Sequence, residues 1–199
     1  MSLTEEIAAT AARMVIDEGL EYASAKRRAA RELGRRSTRR AELPSNEEVE
    51  DEVRSHIALF CADTPPAELR AMREAALIWM ERLADFRPHL SGAAWRGTAT
   101  RLSSVHLDLY CDDPKAAVIA MVNAGENFDS GALDRPGRRE PLQVLTVASA
   151  CAALGEPVTV HLLLHDADDQ RGALKPDAQG RSWRGDLTAL KKRMVEEAR

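Results

Sequence analysis

The chain has 199 residues and a formal net charge of −4 at pH 7. With 44% hydrophobic and 30% charged residues, it has the composition of a folded globular protein, which excludes a disordered chain. No apolar run approaches the roughly 20 residues of a spanning helix. The acidic start at residues 1–6 is also unlike a signal peptide. We therefore predict a cytoplasmic protein with no membrane partner, and the negative charge argues against wholesale nucleic-acid binding.

Two helices are predicted at the start of the chain. Apolar residues recur at spacings of three and four over residues 4–18, with Thr4 as a plausible N-cap and Gly19 as the stop. A second helix is predicted over residues 22–33, ending at Gly34.

An arginine-rich segment, residues 26–40, carries eight Lys and Arg within fifteen positions. This is the strongest charge asymmetry in the chain, and it suggests contact with nucleic acid or an acidic partner. Apart from Tyr22, aromatic residues that could stack on bases are missing here. A solvated helix face is therefore favoured over nucleic-acid binding, and the acidic residues that follow could neutralise the arginines.

Two more helices should complete a helical first half. Asn46 is predicted to cap a helix over residues 46–61, and Pro65-Pro66 to open another over residues 67–86 that ends before Pro88. The three cysteines are far apart and lack paired spacing, so we predict buried free thiols at Cys61, Cys111 and Cys151.

After Pro88 the pattern changes to short strand-like runs. Strands are predicted over residues 90–95, 104–111, 142–150 and 157–165, with the last two as a hairpin or as neighbours in a sheet. A helix is predicted over residues 114–123, a turn or loop over 129–139, and a closing helix over 187–197 capped by Asp186. The predicted fold class is α+β (α/β): a helical region of about four helices, residues 1–87, precedes a small mixed sheet with a C-terminal helix, residues 88–199.

A glycine-punctuated loop that runs into an alternating strand lies at the centre of this second half. The loop begins at Gly92, and Val105, Leu107 and Leu109 alternate with polar residues in the strand. The stretch resembles the signature of the nucleotidyltransferase superfamily, which shares the fold of DNA polymerase β. Three parts of that signature align without a gap. Its Gly-Ser pair falls on Gly92-Ala93, and its Ala-Arg-Gly falls on Trp95-Arg96-Gly97. Its Ser-Asp-Ile-Asp-Leu strand falls on residues 103–107.

The resemblance implies a fold and a phosphate site, while the catalytic positions depart from the family pattern. In that family two carboxylates on one strand and a third from a neighbour hold two magnesium ions against a triphosphate. Here Ala93 replaces the phosphate-binding Ser, and Ser104 and His106 replace the two Asp. We therefore expect a degraded metal site that still binds a nucleotide or phosphate, through Gly92, Arg96, Gly97, Thr98, Arg101, Ser104 and His106.

Transfer activity would need a displaced magnesium site on Asp108, Asp112 and Asp113. Asp108 shares a strand face with His106, but the two later strands contain no matching acid between their ends. A lost metal site is therefore favoured over a displaced one, and no cofactor is expected unless the protein is catalytic, in which case Mg²⁺ is required.

Several alternatives stay open. His106, His161 and His165 could converge on zinc if their strands pair, although His161 and His165 lie too far apart along one strand to share a metal directly. Ser104, His106 and Asp108 imitate a catalytic triad, but residues that alternate on one strand point in parallel and cannot form its relay. The chain could also be a non-enzymatic module that uses the arginine-rich segment, or a structural protein without a ligand. Oligomeric state is left open.

Overall fold

The computed structural model describes residues 2–34, 43–60, 65–135, 140–176 and 180–197. These residues form seven α-helices and one five-stranded mixed sheet, which confirms the predicted α+β class. The helices are α1 (Leu3–Glu18), α2 (Tyr22–Glu32), α3 (Asn46–Phe60), α4 (Pro65–Arg82), α5 (Gly92–Arg96), α6 (Pro114–Asn123) and α7 (Leu187–Glu197). The strands are β1 (His89–Ser91), β2 (Val105–Cys111), β3 (Asp129–Leu133), β4 (Leu142–Ser149) and β5 (Val158–Asp166).

Contacts divide the chain into two compact units. The first contains Met1–Ala67 and Thr98–Ser103, and the second contains Glu68–Gly97 and Ser104–Arg199. This division differs from the one drawn at Pro88 from the sequence, because most of α4 groups with the sheet. Its buried Arg73 donates to the carbonyl oxygens of Ala94 (2.8 Å) and Trp95 (3.3 Å), which ties α4 to α5.

In the first unit α1 packs against α2 and α3 around an alanine-rich core that includes Ile7, Val49 and Val53. The start of α1 is a capping box, in which the Ser2 hydroxyl accepts from Glu5 N (3.3 Å) and the Glu5 carboxylate accepts from Ser2 N (2.7 Å). The cap is therefore Ser2, and the prediction of Thr4 was wrong. Gly19 ends α1 in the left-handed region, as predicted.

A second reciprocal pair precedes α3. Ser45 Oγ accepts from Glu48 N (3.1 Å), and Glu48 Oε2 accepts from Ser45 N (2.6 Å). The residue that caps this helix is thus Ser45 rather than the predicted Asn46, because the serine side chain satisfies a first-turn N–H that would otherwise lack a partner.

The sheet of the second unit has the strand order β1-β2-β5-β4-β3. β2 and β5 are parallel and the other neighbours are antiparallel, so the predicted pairing of the last two strands is confirmed. The strand predicted over residues 90–95 is only the three-residue β1, because Gly92 takes φ +67° and turns the chain into α5. Residues 129–133, predicted as a loop, form the fully exposed edge strand β3, held by backbone pairing with β4.

The alternation of β2 separates two faces of the sheet. Val105, Leu107 and Leu109 are fully buried on one face, together with Val160 and Leu162 of β5. Helix α6 packs against β2 and β5, and begins with Asp113 as its N-cap and Pro114 in its first turn. The other face of β2, the polar face, carries His106, Asp108 and Tyr110. None of the helices in the described ranges is long and apolar enough to cross a membrane.

Candidate functional site on the polar sheet face

The polar face brings ionisable side chains together from three neighbouring strands. The register places His89 of β1 opposite Asp108, His106 opposite His161, and Tyr110 opposite His165. Residues two apart on a strand share a face, so these strand positions lie on one side of the sheet. On the described strands β1, β2 and β5 this face therefore carries four histidines, one tyrosine and one carboxylate.

Asp108 is the buried acid of this face, with 3% of its surface exposed. Its Oδ1 accepts from His165 Nε2 at 2.7 Å, and Arg184 Nη1 lies 3.4 Å from its Oδ2. Burial by itself would raise the pKa of Asp108, but the hydrogen bond from His165 and the charge of Arg184 outweigh it and lower the pKa. Asp108 is thus an ionised carboxylate that is already paired inside the protein.

Tyr110 connects the other members of the cluster. Its hydroxyl accepts from Arg184 Nη1 at 2.5 Å, its ring stacks on His165 with centroids 5.3 Å apart, and His89 meets it edge-on at 5.3 Å. Burial is the main cause that raises the pKa of Tyr110. The hydroxyl therefore stays protonated at neutral pH, and Arg184 binds both Tyr110 and Asp108.

Arg184 is positioned by a segment that docks on the edge of the sheet. Gly185 forms two backbone hydrogen bonds with Leu90 (2.8 and 3.0 Å), and Trp95 Nε1 donates to Ser182 O at 2.8 Å. A Cβ at Gly185 would lie 2.1 Å from the Trp95 ring. Only a glycine permits this approach, so Gly185 is what lets Arg184 reach the polar face.

His106 and His161 form a second group at the other end of the face. Their ring centroids are 5.1 Å apart with planes at 39°. His161 Nδ1 lies 2.9 Å from Thr146 Oγ1 of β4. Gly92, with φ +67°, passes beside His106, and a Cβ there would lie 3.2 Å from His106 Nδ1. The predicted site residues Gly92 and His106 are therefore brought together.

The other predicted phosphate-binding residues have contacts of their own. Arg96 lies over Trp183 at 5.4 Å, and Gly97 ends α5 in the left-handed region. Thr98 and Arg101 belong to the first unit, where the buried Thr98 hydroxyl lies 3.4 Å from Tyr22 Oη. Ser104 directly precedes β2 and is partly buried.

The three acids of the displaced metal site are also separated. The Asp112 side chain is 90% exposed and pairs with Arg87 at 3.0 Å, while Asp113 Oδ1 accepts from Lys115 N at the start of α6. Asp108 points instead at His165 and Arg184. Across the ranges the structure describes, no group of three or more His, Cys, Asp or Glu side chains is placed to hold a metal ion.

The arginine-rich segment is described only in part, because residues 35–42 lie outside the described ranges. Within α2, Lys26 donates to Pro44 O (2.9 Å) and Asn46 Oδ1 (2.8 Å). Arg28 pairs with Glu18 (2.5 Å) and Glu32 (3.2 Å). These two cations are therefore engaged within the first unit.

Sequence reasoning missed the contribution of His89, Tyr110 and Arg184 to the site, and named His165 only as a possible zinc ligand. The alternation of β2 does place Tyr110 on the face of Asp108, which was a usable signal. His165 joins Asp108 through the parallel register of β2 and β5. Arg184 lies in a tail without periodicity, so no local pattern marks it.

No protein-family model matches the chain, and no curated protein sequence matches it. One solved structure, reported as the structural basis for the activity of a cytoplasmic RNA terminal U-transferase, is similar at a TM-score of 0.37 and 14% sequence identity. The similarity covers 58% of this chain and 36% of that chain. The chain thus spans little more than a third of the protein it resembles, and a function has to be argued from its own residues.

Proposed function

We propose that this is a nucleotidyltransferase-like protein that binds a phosphate-bearing ligand, with a nucleotide as the candidate, on the polar face of its sheet. It does so without the two-metal site of that superfamily. The observation that carries the proposal is the donor character of the face: on β1, β2 and β5 it carries four histidines and one carboxylate, Asp108, which is already paired with His165 and Arg184.

The donor set favours an anion over a hard cation. Magnesium prefers several oxygen ligands, commonly carboxylates, and a triphosphate adds further negative charge that needs neutralising. His106 and His161 can each donate a ring N–H to a phosphate oxygen, and the bond is strengthened when the ring is protonated. His106, which stands where the resembling family has a metal-binding Asp, would thus contact the phosphate directly.

Gly92 supports the same location. Its positive φ and missing side chain let the backbone pass beside His106, where a Cβ would meet the ring nitrogen at 3.2 Å. A side chain at this position would press on His106 and crowd the space above the ring. Gly92 therefore leaves the His106 ring unobstructed by a side chain from this neighbour.

Magnesium-dependent transfer through Asp108, Asp112 and Asp113 is the alternative that this proposal rejects. It would require Asp108 to give up His165 and Arg184, and it would require Asp112 to turn back from the strand end where it pairs with Arg87. Transfer of a nucleotide label that needs magnesium and disappears in Asp108→Ala would contradict the proposal.

The experiment is a thermal-shift series with ATP, CTP, GTP, UTP and pyrophosphate, each with magnesium and with EDTA. A ligand that binds only the folded state raises the melting temperature. We expect a rise that persists in EDTA, is reduced in His106→Gln, and is unchanged in His56→Gln, a histidine of α3 in the first unit. A nucleotide-induced rise in melting temperature that requires magnesium would refute the proposed site. A rise of equal size in His106→Gln and His56→Gln would refute it as well.

A further inference from the structure

The pair of His106 and His161 has a geometry that suits a second kind of ligand. The two residues occupy the same register position on the parallel strands β2 and β5. Their ring centroids are 5.1 Å apart. We propose that His106 and His161 form a cross-strand binding site for a transition-metal ion such as Zn²⁺, Ni²⁺ or Cu²⁺.

The spacing of the rings matches what a shared metal requires. With Zn–N bonds of about 2.0–2.1 Å and tetrahedral geometry, two imidazole ligands have their centroids about 5.2 Å apart. The observed 5.1 Å is close to this spacing.

Thr146 supplies the outer contact that metal-binding histidines commonly have. Its hydroxyl lies 2.9 Å from His161 Nδ1, and where Nδ1–H donates to this hydroxyl, Nε2 carries the lone pair that can bind a metal. Such a contact fixes the tautomer and orientation of a ligating ring. Thr146 faces His161 in the register of β4 with β5, so this contact is built into the sheet.

The identity of the metal follows from the donors. Imidazole nitrogen suits zinc, copper and nickel, whereas magnesium and calcium require oxygen ligands. Two imidazole nitrogens leave further coordination positions of such an ion to water or to an added ligand. The site is therefore a two-histidine site of modest affinity with positions open to an incoming ligand, and the proposal does not depend on phosphate binding.

The test is isothermal titration of the full-length chain, without a histidine tag, with ZnCl₂, NiCl₂ and MgCl₂ and with no nucleotide present. We expect saturable binding of zinc and nickel at one site, and none of magnesium. His106→Gln and His161→Gln should each weaken binding by at least about tenfold, and Thr146→Val by about tenfold through the lost outer contact. The glutamine variants keep a polar side chain at these partly buried positions, and a thermal melt of each variant checks that it is folded.

A control variant separates this site from other histidines. His56→Gln removes a histidine of the first unit and should bind zinc as the unaltered protein does. Absence of saturable zinc binding, or equal weakening by His56→Gln and His161→Gln, would overturn the proposal. Nucleotide binding in EDTA is measured separately, so either proposal can fail alone.

Discussion

Neutralising Asp108 distinguishes a structural ion pair from an empty metal site. In Asp108→Asn the side chain keeps its shape but loses its charge. The charge-assisted hydrogen bond from His165 contributes about 1.5–3 kcal/mol. The contact with the partly exposed Arg184, at 3.4 Å, adds less than about 1 kcal/mol. Because the asparagine amide oxygen can still accept a neutral hydrogen bond, worth about 0.5–1.5 kcal/mol, we expect the free energy of unfolding to fall by about 2 kcal/mol.

The stability lost in Asp108→Asn should decrease as the pH falls. The pKa of Asp108 is lowered from its ordinary 3.8 in the folded protein, so the carboxylate stabilises the fold at pH values above 3.8. That contribution disappears as the pH falls through the lower, folded pKa. The difference between the unaltered protein and Asp108→Asn should thus be constant near neutral pH and shrink in acid.

The assay is urea unfolding followed by tryptophan fluorescence at several pH values. Asp112→Asn is the matched control, because Asp112 follows the same strand but its side chain is 90% exposed, and it should change stability little. An unpaired cluster of metal-binding carboxylates behaves in the opposite way, since neutralising one relieves repulsion. A variant Asp108→Asn as stable as the unaltered protein, or more stable, would refute the ion-pair interpretation.

Three further predictions concern the surroundings of the site. Gly185→Ala should lower the free energy of unfolding by about 2–4 kcal/mol, because its Cβ would meet the buried Trp95 ring at 2.1 Å; a thermal melt close to that of the unaltered protein would contradict this close contact. Burial is the main cause that raises the pKa of Cys111 to about 11. The test uses a protein whose other two cysteines are replaced by serine. At about pH 8 the alkylation of Cys111 should be roughly a hundredfold slower than that of a free thiol, and its rate should increase with pH. Alkylation at the rate of a free thiol would disprove burial. Arg73→Met should lower the free energy of unfolding in urea by about 3 kcal/mol, because it leaves the Ala94 carbonyl and the Glu197 carboxylate without this partner. The control Arg70→Met, on the exposed side of α4, should leave the free energy of unfolding nearly unchanged.

Local patterns predicted the elements whose signals lie within a few residues. The helix over residues 114–123 matches α6, and the strand over 104–111 is β2 with one residue fewer at its start. The closing helix and its Asp186 cap are also as predicted, since Asp186 Oδ1 accepts from Ala189 N at 2.8 Å. The serine caps of α1 and α3 were visible too: Ser2 and Ser45 each stand three residues before a glutamate, which is the spacing of a capping box.

Elements that depend on distant contacts were predicted less well. β3 has the sequence Asp-Ser-Gly-Ala-Leu and is exposed throughout, so it shows no alternation and exists through its backbone bonds to β4. Cys151 is partly buried rather than buried as predicted, because it lies in the turn before β5, while Cys61 lies outside the described residues. The partners of Asp108 come from β5 and from the tail, at 57 and 76 positions along the chain. No local pattern specifies such a register, so the carboxylate was identified but its role was not.

The most direct test of phosphate binding on the polar face is an NMR titration of the histidine ring resonances with ATP in EDTA. We predict that the signals of His106 and His161 move together to saturation, while that of His56 stays in place. Movement of the two signals should also follow added pyrophosphate, because the phosphate groups make the contact. Resonances of His106 and His161 that do not respond, or that respond only after magnesium is restored, would contradict metal-independent phosphate binding at this site.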